Sequence, residues 1–161
     1  MNIDISELNN GLVDRVDINI DYTFSDEELK NTEIRKLDNL KVEGYINKDV
    51  MNNLYLNIDI SGEMILPCAV TLKDVNYPFS VSVSGNFDEI VNEIENFDKK
   101  SENSIDIFPI IWENILMEIP MKVVSEDAHN YHAEGNGWKL ITDESDHVEV
   151  NPELEKLKEL L

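Results

Sequence analysis

The chain has 161 residues, 42% hydrophobic and 29% charged, with six glycines and five prolines, a balance that suits one folded domain and excludes a disordered or fibrous protein. Thirteen lysines and arginines against 34 aspartates and glutamates leave a formal net charge of −21, which repels phosphate and anionic lipid and makes free nucleic acid a poor default ligand. No basic region followed by an apolar stretch opens the sequence, and no apolar run reaches membrane length, so the expectation is a cytoplasmic chain, neither secreted nor membrane-spanning.

Val16, Ile18, Ile20, Tyr22 and Phe24 alternate with Asp17, Asn19, Asp21 and Thr23, and this period of two predicts a half-buried strand with a wet acidic face. Ser25 followed by Glu28 is a capping-box pattern, predicting a short helix through Leu29. Alternation resumes at Leu40, Val42, Gly44 and Ile46, and again after Asn52-Asn53 at Leu54, Leu56, Ile58 and Ile60. Two antiparallel strands joined by a turn are the simplest reading. The second continues through Gly62, Met64 and Leu66 to Pro67; the glycine predicts a bulge or a close backbone approach, and the proline a stop. Phe79, Val81, Val83 and Phe87 predict another strand beginning after Tyr77-Pro78.

Residues 86–98 are ambiguous, since Ile90, Ile94 and Phe97 fit a helix that Asn86, Asn92 and Asn96 weaken. A polar loop follows. The stretch PIIWENILMEIP predicts a helix over 109–119, with Pro109 at its first position and Pro120 just beyond. Ile111, Ile115 and Ile119, with Trp112 and Leu116 beside them, form a broad apolar face to pack on the sheet. Periodicity is lost after Ser125, predicting a long irregular loop at about 122–148 around a Gly135-Asn136-Gly137 turn. Asn151 as cap, Pro152, and Leu154, Leu157 and Leu161 along one side predict a short C-terminal helix. The fold class expected is α+β: a curved, mainly antiparallel sheet with one central helix and a short C-terminal helix, in a single domain over 1–161.

Few residues point to chemistry. Cys68 is the only cysteine, so no internal disulfide can form, which fits a reducing compartment. A reactive thiolate needs a nearby cation, base or helix N-terminus, and Pro67, Ala69 and Val70 supply none. A buried, unreactive thiol is therefore expected. Cys68 with His129, His132 and His147 has the ligand types of a zinc site, but the spacing matches no standard motif, and exposed loop histidines are the simpler reading. Neither a G-x-S-x-G elbow nor a glycine-rich phosphate loop is present. Carboxylates are too numerous for any pair to stand out as acid and base. No enzyme and no cofactor are expected.

The strand ending Gly62-Glu63-Met64-Ile65-Leu66-Pro67-Cys68-Ala69-Val70-Thr71-Leu72, followed by Tyr77-Pro78-Phe79, resembles the central motif of the bacterial YceD-like family, the large ribosomal RNA subunit accumulation proteins. Further pieces agree in order: Ile105-Asp106-Ile107 with Pro109, the run Glu113 to Pro120, Ser125-Glu126-Asp127 with Gly135 and Gly137-Trp138, and Asn151-Pro152-Glu153-Leu154 with Leu157, Leu160 and Leu161. The resemblance thus covers nearly the whole chain, and it implies structural roles for Gly62, Pro67, Cys68, Leu72, Gly137 and Trp138. Many members of that family carry a C-x-x-C at the central motif and further cysteines in the later loop, which suggests metal binding. Here Thr71 stands at the second position, and Ser125 and Ala128 stand where the later cysteines would be. One thiolate cannot close a four-thiolate site, so no metal is expected.

The resemblance implies a role in large-subunit ribosomal RNA accumulation or processing, ribosome assembly included. The charge then favours a non-enzymatic factor that contacts a basic ribosomal protein or assembly factor, although acidity that merely maintains solubility explains the composition equally well. Asp88, Glu89, Glu93, Glu95 and Asp98 are the candidate partner surface. The alternative is direct contact with ribosomal RNA through a local patch of Arg15, Arg35, Lys36 and Lys41.

Overall fold

The structure is a computed structural model that describes residues 1–94, 103–130, 134–135 and 137–139. In chain order its elements are β1 (Asn2–Asp4), α1 (Ser6–Asn9), β2 (Arg15–Tyr22), α2 (Asp26–Leu29), β3 (Lys36–Lys48), β4 (Leu54–Pro67), β5 (Asp74–Asn86), α3 (Phe87–Glu93), β6 (Ser104–Asp106), α4 (Phe108–Met117), a 3-10 turn (Glu126–Asn130), β7 (Glu134–Gly135) and β8 (Trp138–Lys139). The fold is α+β, as its alternating and helical patterns predict. Strands β2, β3, β4 and β5 form a four-stranded antiparallel meander in that order, while β1 pairs with β6 and β7 with β8 in separate two-stranded sheets. The C-terminal helix expected over 151–161 lies outside the described residues.

The alternation read from the sequence becomes the two faces of the meander. One face carries Ile18, Val42, Ile46, Leu56, Ile58 and Ile60, all buried. Each such side chain contributes about 1.5–3 kcal/mol when removed from water. Helix α4 completes the core with Ile110, Ile111 and Ile115. Its other contact is aromatic: Trp112 lies 5.1 Å from Phe24 and Phe24 4.9 Å from Tyr22, ring centre to ring centre, which ties the helix to the end of β2. Leu116, expected on the packed face, is instead exposed. The inward arc is centred on Ile111 and Ile115, and Leu116 lies beyond its edge.

Local chemistry explains most boundaries. In α2 the Ser25 N–H and hydroxyl both donate to the Glu28 carboxylate at 2.8 Å, closing the predicted capping box. The β3–β4 connection is held by Asp49, whose carboxylate accepts the N–H of Met51 and of Asn53 at 2.8 Å. Strand β4 stops at Pro67 as expected.

Several expectations are refined or changed. The register of β3 on β4 slips between Asp38 and Lys41, opposite Gly62. The bulge therefore sits in the partner strand, around Asn39 at φ +53°. Gly62 itself is a close approach, since a Cβ there would meet the Phe79 ring at 3.0 Å. Strand β5 begins at Asp74 and runs through Tyr77-Pro78 instead of starting after them. It is an edge strand, where a residue without an N–H is tolerated. Phe87, expected in that strand, opens α3; Asn86, expected to weaken a helix, caps it by accepting the Asp88 N–H at 2.9 Å. The region expected as an irregular loop holds the 3-10 turn and the β7–β8 pair, with Gly135 opposite Trp138 and Gly137 at φ +87°.

Among the glycines of the meander, Gly44, in the middle of β3, leaves the least room for a side chain. A Cβ there would lie 2.1 Å from the Asn57 carbonyl oxygen and 2.7 Å from the Ile58 Cα. Backbone cannot move aside as a flexible side chain does, so the two central strands would have to part. Gly44→Ala is expected to lower the unfolding free energy by about 3 kcal/mol, measured by urea titration; an unchanged midpoint would contradict this contact.

Candidate functional site

The motif around Cys68 builds a clasp between two segments far apart in sequence. After β4 ends, the chain turns back through residues 68–73: the Leu72 N–H donates to the Cys68 carbonyl at 2.9 Å and the Cys68 N–H to the Lys73 carbonyl at 2.8 Å. Leu72 adopts a left-handed φ of +58° to close this turn, and its side chain is exposed. The second segment, 123–128, lies alongside. The Ala69 N–H donates to the Val123 carbonyl at 2.8 Å, and the Lys73 ammonium pairs with Asp127 at 3.1 Å.

The Cys68 sulfur sits at the centre and is fully buried. It accepts N–H groups from Val70 at 3.5 Å, Thr71 at 3.4 Å and Ser125 at 3.3 Å, and the Ser125 hydroxyl at 3.4 Å. The Thr71 and Ser125 hydroxyl oxygens lie 3.4 Å apart. Burial pushes the thiol pKa up, but the hydroxyls of Ser125 and Thr71 and the N–H groups of both residues outweigh it, lowering the pKa from 9.0 to about 6. The thiol is thus buried as expected, and its pKa is lowered by hydrogen bonds where no cation, base or helix N-terminus was expected from its neighbours. Two of these four donors come from Ser125, 57 residues away, which the neighbours in sequence could not reveal.

The clasp unites the positions Cys68, Thr71 and Ser125, with buried Ala128 one short turn further on, its N–H on the Ser125 carbonyl at 2.9 Å. These are the four positions at which the family resemblance implies cysteines. Only one is a thiol, so the residues present do not fit a structural metal. Among the described residues no group of three or more His, Cys, Asp or Glu side chains could hold an ion. The side chain of His129 and all of His132 and His147 lie outside the described residues. A groove of about 480 Å³ flanks the clasp, lined among others by Leu72, Pro120, Met121, Arg35 and Lys122.

The structure separates Arg15 from the other three residues of the expected basic patch. Arg15 stands at one end of the meander and pairs with Asp17, Lys36 at the other with Asp38, and Arg35 with Asp74. Lys41 faces Asp21 across the β2–β3 register. On the acidic side, Asp88 and Glu89 are exposed in the first turn of α3. The side chain of Glu93, and Glu95 and Asp98 entirely, lie outside the described residues. Gly62, Pro67 and Cys68 line the path from β4 into the clasp; the side chain of Trp138 is not among those described.

Residues 56–161, from near the start of β4 through the clasp to residue 161, match the family of the large ribosomal RNA subunit accumulation protein YceD. The chain belongs to the YceD family. It is 37% identical over 138 residues to the uncharacterized protein YlbN of Bacillus subtilis (strain 168), an alignment covering 81% of this chain and 79% of YlbN. No solved structure matches the chain. The clasp falls within the family-matched part, and β2 and the whole of β3 fall before it. Among the described residues no helix is long and apolar enough to cross a membrane.

Two expected outcomes follow from the clasp. The folded thiol pKa of about 6 lies below the unfolded value of 9.0, so between these values the unfolded chain binds the extra proton and stability rises with pH; below about 6 the contribution is lost. The difference in unfolding free energy between the wild type and Cys68→Ala should therefore widen from pH 6 to pH 9, and thiolate absorbance should titrate near 6 in the wild type. A flat difference with titration near 9 would refute it. Second, Thr71→Cys/Ser125→Cys/Ala128→Cys should bind one zinc ion and give the absorption of tetrahedral cobalt thiolates when loaded with Co²⁺. Octahedral cobalt spectra would show that the four positions do not converge.

Proposed function

We propose that this protein supports the accumulation of large-subunit ribosomal RNA without catalysing a reaction, by holding a basic ribosomal protein or assembly factor during subunit assembly. Membership of the YceD family supports the ribosomal part. The observation that carries the mechanism is the formal charge of −21 on a chain of this size. Such a surface opposes the counterion release on which RNA affinity depends, and it attracts cationic proteins at long range. The exposed carboxylates Asp88 and Glu89 are the described start of the proposed contact segment. Direct RNA binding through Arg15, Arg35, Lys36 and Lys41 is the weaker reading, because the first three are each paired with a carboxylate of their own chain and Lys41 stands opposite Asp21 across the β2–β3 register.

The test has two readouts. Cells lacking the protein are expected to hold a reduced ratio of large-subunit to small-subunit ribosomal RNA; an unchanged ratio would remove the ribosomal reading. Protein recovered from cells at physiological salt is expected to retain an identified basic ribosomal protein or assembly factor after ribonuclease treatment. Association lost with the RNA would overturn the partner reading in favour of direct RNA contact.

A further inference from the structure

The outer face of the meander belongs neither to the core nor to the clasp. Reading across β2, β3, β4 and β5 in register, one row is Arg15, Asn47, Tyr55 and Asn86, the next Asp17, Tyr45, Asn57 and Ser84, and the next Asn19, Glu43, Asp59 and Ser82. Asp17, Asn19, Glu43, Asn57, Asp59, Ser82 and Ser84 are all exposed. Around Tyr45, Asn47, Tyr55, Asn57 and Ser84 the surface sinks into a depression of about 350 Å³.

Two features of this face are unlike an ordinary wet face. Glu43 and Asp59 are direct cross-strand partners, and like charges directly opposite each other destabilise a sheet. Neither carboxylate has an ion-pair partner among the described residues; Asp59 only accepts the Ser82 hydroxyl. Beside them, the chain's own Arg15 places its guanidinium 4.4 Å from the centre of the Tyr45 ring while pairing with Asp17. A tyrosine face backed by a carboxylate therefore already holds one guanidinium on this surface. Tyr55, 39% exposed, is the diagonal neighbour of Tyr45 and has no cation over it among the described residues.

We propose that this face docks an arginine-bearing segment of a basic protein, one guanidinium lying on Tyr55 and another between Glu43 and Asp59. Charge complementarity selects the occupant, since the three rows carry Asp17, Glu43 and Asp59 against the single cation Arg15. The chemistry selects arginine over lysine, because a planar guanidinium stacks on an aromatic face and forks across two carboxylate oxygens, whereas an ammonium is a strongly hydrated point charge. The first turn of α3, with its exposed Asp88 and Glu89, follows Asn86 directly in the chain. This inference rests on the basic-partner reading and gives it a place.

The experiment titrates the full chain with a nona-arginine peptide, a nona-lysine peptide and an oligouridylate of similar length, at physiological salt. Nona-arginine is expected to bind several-fold tighter than nona-lysine and far tighter than the RNA. Glu43→Gln/Asp59→Asn and Tyr55→Ala should each weaken nona-arginine about tenfold, while Tyr55→Phe keeps the affinity, because the ring and not the hydroxyl makes the contact. Asp26→Asn/Glu27→Gln, which removes the same charge from α2, should change it less than about twofold. Equal losses in the α2 and sheet variants would overturn the sheet site while leaving the basic-partner reading intact. No binding of either cationic peptide by the wild type would count against both, and tighter binding of the oligouridylate, lost in Tyr55→Ala, would assign the face to RNA bases. Circular dichroism of each variant separates loss of contact from loss of fold.

Discussion

Side chains on a strand point alternately to opposite faces, so a slip of one residue between any two strands of the meander would carry its buried isoleucines to water and its carboxylates into the core. Everything else in the molecule depends on that register. Gly44 holds it from within, by letting the backbone of β4 come closer than any side chain would allow. Asp49 holds it at the turn, and the irregularity between Asp38 and Lys41 sets the far ends of β3 and β4 in phase with Phe79 on β5. With the register fixed, the inner face forms a core with α4 and the outer face presents tyrosines, amides and carboxylates to solvent.

The clasp at the end of β4 solves a different problem. A turn of six residues and a loop more than fifty residues later must be held together around Cys68. A metal would do this by coordination; here one sulfur does it by accepting hydrogen bonds from both segments, with a serine and a threonine hydroxyl beside it and an alanine filling space. Hydrogen bonds to sulfur favour its charged form, which explains how a buried thiol comes to have a lowered pKa without a cation next to it. The proposed docking face therefore need not include the cysteine.

Much of this was legible in the chain. The alternation at 16–22, 40–46 and 54–60 marked three strands and their buried sides, the Ser25–Glu28 box marked α2, and Pro109 marked the start of α4. The strands β1 and β6 were not legible as a pair, because each is three residues long and exists only through the other, more than a hundred residues away. Asn86 misled because the same side chain that disfavours a helix interior favours its cap. The acidic residues of the outer face could be read as a wet side, but not as a site, since Glu43 and Asp59 become neighbours only when β3 folds back on β4.

What the sequence determined by itself is whatever depends on short-range periodicity and composition: the faces of the strands, the caps, the overall acidity and the family motif around Cys68. What only the tertiary structure decided is which distant groups meet. Ser125 reaches Cys68, Arg15 reaches Tyr45 and Glu43 faces Asp59. Strand pairing and loop closure set those distances, and the electrostatic character of a thiol or a carboxylate depends on the groups within a few ångströms of it, whatever their separation along the chain.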